Sequence, residues 1–144
     1  MITFLNAANR ILMLIEKPDI DPLAFQIVKR EIITEDEVGD MIDKICEGMD
    51  GEPIEMYNED VLVLYTIIEL YVRLMLSYTG DEIKEGMKKH QEKYPPPEQY
   101  DMEEVFRMEM AAASAFVRSI MEEYEDNPAF IARRDQLQEL NEFI

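Results

Sequence analysis

Apolar residues between Val38 and Met49 fall at Val38, Met41, Ile42, Ile45, Cys46 and Met49, stepping by 3, 1, 3, 1 and 3. That is the period of a helix with one buried stripe. Thr34 and Glu37 make a capping-box pair just ahead of the run, and Asp50, Gly51 and Pro53 supply its stop. Similar punctuation recurs along the chain. Asp21 followed by Pro22 predicts a helix through about Arg30, with Leu23, Ile27 and Val28 facing inward. Asn58 is placed to cap the apolar run Val61 to Tyr78, and Gly80 to close it. Thr79 with Glu82 opens a shorter, polar helix from Asp81 to about Lys93, whose apolar content is only Ile83 and Met87. Pro95, Pro96 and Pro97 stop any helix and favour a rigid extended connector. Asp101 with Glu104 then starts a helix to about Glu125, and Asn127 with Pro128 starts a last one ending near Phe143.

No stretch alternates with period two between hairpin turns, so the expected fold is all-α. The pattern predicts a single domain, residues 1–144, built as a bundle of about seven helices around a long apolar central helix at about 59–79. A chain of 144 residues is long enough to bury roughly 68–70% of its unfolded surface and to support one core. The central run approaches the length of a membrane span. Glu69 and Arg73 would then lie near the bilayer centre, where each charge costs about 2.5–3.5 kcal/mol. On a buried helix the two are four residues apart and can pair on one face, so no membrane contact is expected.

Charge sharpens this picture. The chain carries 32 acidic and 14 basic residues, a net charge of -18, and eleven of the acids but only one base fall in residues 34–60. Asp36, Asp40, Asp43, Glu47 and Asp50 step by 4, 3, 4 and 3, which gives one continuous negative stripe on the face opposite the apolar one. Glu52 and Glu55 carry the field beyond the helix. These seven residues are the candidate partner-binding set. Such a field steers a basic protein and repels nucleic acid and anionic membrane. A solvated face that only confers solubility is the simpler alternative. As a phosphate mimic one stripe is a poor match: its carboxylates recur about every 5.4 Å, against about 3.4 Å for phosphates along a DNA strand.

Catalytic chemistry finds little support. His90 is the only histidine and has Met87 three residues before it, so the Glu-x-x-His pairs of a di-iron bundle are missing. The loop from Asp50 contains Pro53 and lacks a glycine at its sixth position, unlike a calcium loop. Cys46 falls on the apolar stripe and is expected in the core, not as a nucleophile. As the only cysteine, in a chain without a signal-peptide pattern, it points to a reducing cytoplasm. Glu82 and Glu85 with Glu123 and Asp126 resemble the paired carboxylates of the all-α MazG-like enzymes. That resemblance implies magnesium-dependent nucleotide pyrophosphate hydrolysis, but the gap between the pairs is longer than the family pattern. No metal or cofactor is expected. Lys84, Lys88, Lys89 and Lys93 sit in too negative a chain to read as a nucleic-acid site.

Eleven methionines suit an irregular core or an adaptable surface. The run Ala111 to Ala115, interrupted by Ser114, allows close approach of another helix in the same chain or in a second copy. Glu109, if buried, needs a partner such as Arg73 or Arg107. The leading expectation is a non-enzymatic, acidic protein-binding module for a basic partner, of the immunity-protein, antitoxin, inhibitor or DNA-mimic kind. A structural homo-oligomer or a secretion or assembly chaperone is the alternative.

Overall fold

The computed structural model describes residues 2–17, 31–51, 53–77, 80–93 and 102–139, with the isolated positions 19, 24, 25 and 28. Six helices are delimited among them: α1 (Ile2–Glu16), α2 (Glu35–Met49), α3 (Asn58–Ser77), α4 (Gly80–Lys93), α5 (Met102–Glu123) and α6 (Pro128–Glu139). The architecture is all-α, with no strand among the described residues. The further helix expected over 21–30 lies outside them except for Ala24, Phe25 and Val28, which are helical, with Ala24 and Val28 in the core. The triproline segment, Thr79 and Asp101 also lie outside the described residues.

Local chemistry explains the ends of the helices. The Thr34 hydroxyl accepts the Glu37 N–H at 3.2 Å, while the Glu37 carboxylate accepts the Thr34 N–H at 3.0 Å, closing the capping box of α2. At the other end the Asp50 N–H reaches the Cys46 carbonyl at 3.2 Å and Gly51 takes φ 85°, a conformation glycine adopts without a Cβ penalty. Asn127 caps α6, its side-chain oxygen accepting the Ala129 N–H at 3.0 Å ahead of Pro128 in the first turn. Two expected caps are corrected. Tyr57, not Asn58, holds the cap position of α3: its carbonyl accepts the first helical N–H, from Val61, at 3.0 Å, and Asp60 accepts its own N–H at 3.1 Å. Gly80 begins α4 rather than closing α3.

Helix α3 packs against α1, α2, α5 and α6. Its Leu64, Ile67, Ile68, Leu70 and Leu74 belong with Ala7, Ala8, Ile11, Leu14 and Ile15 of α1 to one cluster of buried side chains. Burying an aliphatic side chain of this size stabilises the fold by about 1.5–3 kcal/mol. Phe130 of α6 is sealed by Tyr124, stacked at 4.0 Å, and by Tyr65 at 6.2 Å. No described helix is long and apolar enough to cross a membrane.

Several polar groups inside this packing are matched, although Arg134 Nε is buried without a hydrogen bond among the described residues. Thr66 is fully buried; its hydroxyl donates to the Leu62 carbonyl at 2.7 Å and accepts from Arg133 Nη1 at 2.9 Å. Burial lowers the Arg133 pKa from its ordinary value. Glu69 accepts from Arg73 Nε at 2.9 Å, the expected pair. Glu109 is half-buried, and in place of the expected Arg73 or Arg107 it accepts from Asn6 Nδ2 at 3.2 Å, across the contact of α1 with α5. It also faces Tyr71, whose pKa is pushed up to about 12, first by burial and then by the Glu109 charge.

Candidate functional site

Helix α2 divides into three rows. Val38, Met41 and Ile45 form a buried seam against the body of the protein. Asp36, Asp40, Asp43, Glu47 and Asp50 form the outer row, and all five are exposed. Between these rows lies an apolar shoulder of Gly39, Ile42, Cys46 and Met49. The shoulder corrects the expectation of a single buried stripe: Ile42 is half-buried, Cys46 is exposed and Met49 is 46% exposed. The seam buries about one residue per turn, Val38, Met41 and Ile45, and the adjacent row is turned toward solvent.

The acids are not placed to stabilise α2 throughout. Glu35, Asp36 and Glu37 occupy its first turn, where negative charge complements the helix dipole. Glu47 and Asp50 sit at the other end, which has no basic residue in its last turn. A carboxylate there opposes the dipole at a cost of about 0.3–1 kcal/mol. Glu55 is exposed in the following loop, where its carboxylate accepts the Tyr57 hydroxyl at 2.8 Å. Glu52 lies outside the described residues.

The one cation of this region is committed elsewhere. Lys44 Nζ donates to Asp60 Oδ2 at 2.6 Å and lies 5.8 Å from the centre of the Tyr57 ring. It therefore fastens α2 to the first turn of α3. The hydrogen bond from Lys44 holds the Asp60 pKa below the ordinary carboxylate value and raises that of Lys44. Among the described residues, Asp36, Asp40, Asp43 and Asp50 make no ion pair.

An open groove of about 640 Å³ runs between α1 and α2. Leu12 and Ile42, both half-buried, supply its apolar surface, with Gly39 between the acidic positions of α2. Glu16 borders it from α1, and Glu35, Asp36, Asp40 and Asp43 from α2; among the described residues its lining contains no lysine or arginine. A Cβ added at Gly39 would meet no atom within 4 Å. Glycine in a helix interior costs roughly 0.5–1 kcal/mol relative to alanine, and here no packing against the described residues requires it. The contribution of α1 was not legible from charge spacing, although a glycine inside the most strongly amphipathic run was a usable signal.

Elsewhere the expected chemistry is dispersed. Glu82, Glu85, Glu123 and Asp126 are all exposed, and no three His, Cys, Asp or Glu side chains among the described residues are grouped to hold a metal ion. The His90 side chain lies outside those residues. Lys84, Lys88, Lys89 and Lys93 are exposed on α4, with Lys89 3.7 Å from Glu85. On α5, Ala113 is buried while Ala111, Ala112 and Ala115 are exposed, next to Met108 at 64% exposure. The chain matches no protein-family model, no curated protein and no solved structure.

Proposed function

We propose that this protein is a non-enzymatic, cytoplasmic protein-binding module whose α2 face docks a basic protein. The observation that carries the reading is the row Asp36, Asp40, Asp43, Glu47 and Asp50, exposed along one face while Lys44, the cation on the same helix, is tied to Asp60. Like charges spaced this way destabilise a helix by about 0.2–0.5 kcal/mol per pair, so a role outside α2 accounts for them better than a role within it. Steering by such a field raises association rates with a cationic partner and weakens as salt screens it. In this reading α3 is the central helix of the scaffold, a seventh helix over 21–30 completes it, and Glu52 and Glu55 extend the docking face. An inhibitor, immunity protein, antitoxin or DNA mimic works in this way.

The test is association of the full chain with a basic protein recovered from its host at about 50 mM salt and weakened at about 300 mM. Asp40→Lys with Asp43→Lys slows association at low salt and leaves the urea unfolding midpoint in place. Unchanged association at low salt overturns the proposal. The exposed Met108, Ala111, Ala112 and Ala115 favour a second reading, a homo-oligomeric assembly or chaperone subunit. A strictly monomeric mass by light scattering at high concentration removes that alternative.

A further inference from the structure

We infer that the groove between α1 and α2 seats an amphipathic, cationic helix of the partner, which lays its apolar side chains against Leu12, Gly39 and Ile42 and its lysines and arginines against the bordering carboxylates. This rests on the reading that the acidic face docks a basic protein, and it adds which segment of the partner is recognised and where. The groove is concave and about 640 Å³ in volume, enough for several side chains. Its chemistry is two-sided. Leu12 and Ile42 offer half-buried apolar surface, and Asp36, Asp40 and Asp43 stand along the α2 side without ion pairs among the described residues. The apolar shoulder continues along α2 through Cys46 and Met49, both exposed and still beside the acidic row. A ligand complementary to this surface is apolar on one face and cationic on its flank.

Gly39 leaves room for such a ligand to approach: the space where its Cβ would stand is open, as it also is at Gly86 of α4, and at Gly39 the opening lies between Leu12, Ile42 and the acidic row. A helix suits the site better than an extended segment. The described elements are all helical, so they offer no sheet edge to pair with an extended backbone, whereas a helix satisfies its own hydrogen bonds.

The probe is a synthetic amphipathic helix of leucine, alanine and lysine, compared with a scrambled peptide of the same composition that has no apolar face. Both are titrated by fluorescence anisotropy against the full chain at about 50 mM salt. The amphipathic peptide binds about ten-fold more tightly than the scrambled one, the effect of one seated apolar side chain. Gly39→Leu, which changes no charge, abolishes that preference but retains the weaker binding common to both peptides. Gly39→Ala raises the urea midpoint while reducing the preference, a combination that damage to the fold does not produce. Equal binding of the two peptides by the wild-type chain, or a preference untouched by Gly39→Leu, overturns the groove while the docking reading stands. Binding of neither peptide, or binding indifferent to Asp40→Lys with Asp43→Lys, overturns both.

Discussion

Along α3, Asp60, Thr66 and Glu69 each meet a cationic partner at 2.6–2.9 Å, from Lys44, Arg133 and Arg73 respectively. On the outer face of α2, Asp36, Asp40, Asp43 and Asp50 form no ion pair with a described residue. Desolvation accounts for the difference. A polar group taken out of water costs free energy unless another group replaces its lost hydrogen bonds, whereas an exposed carboxylate keeps its hydration. The Asp60 and Thr66 contacts therefore hold α3 to α2 and α6, the Glu69 contact stays within α3, and the outer row is available to a second molecule with little consequence for the fold.

The strongest challenge to this contrast is Thr66→Val, which keeps the shape of the buried side chain but removes the acceptor for Arg133. It lowers the unfolding free energy measured in urea by about 1–3 kcal/mol, because a guanidinium N–H is left without its partner. Adding Arg133→Leu recovers part of the loss. A double variant as unstable as the sum of its single changes would show that the pair is not coupled. A smaller effect follows from Asp60, whose folded pKa lies below its unfolded value through the hydrogen bond from Lys44. A depressed carboxylate pKa contributes stability above the unfolded value of about 3.8 and loses it as pH falls through the folded pKa. The stability difference between wild type and Asp60→Asn is thus present at neutral pH and shrinks in acid below that range. A difference constant across the titration would mean that the Lys44 contact does not act through charge. The smallest effect belongs to the outer row. Asp40→Asn with Asp43→Asn leaves the urea midpoint unchanged or raises stability by about 0.2–0.5 kcal/mol per like-charge pair removed. A clear loss would show that those carboxylates support the fold after all.

Features confined to one helical turn were the ones legible in the chain. The Thr34 and Glu37 capping box, the Gly51 stop and the Asn127 and Pro128 start depend on groups three or four residues apart, whose geometry the backbone imposes. The Glu69 and Arg73 pair is legible for the same reason. The caps misread at Asn58 and Gly80 each fell within a residue or so of a helix end, where neighbouring polar residues compete for the same role. Cys46 was misplaced because periodicity gives the direction of an apolar row but not the width of the contact that covers it.

The sequence by itself determined that the chain is helical, where most of its helices begin and end, and that one face of α2 is a row of carboxylates. Each of these follows from spacing along a single backbone. Only the tertiary structure decided that Glu109 meets Asn6, that Arg133 reaches Thr66, that Lys44 is taken up by Asp60, and that α1 and α2 leave a groove past Gly39. Those outcomes join residues as many as 103 positions apart. They depend on how each helix is rotated about its axis as the whole core packs, which no local spacing specifies.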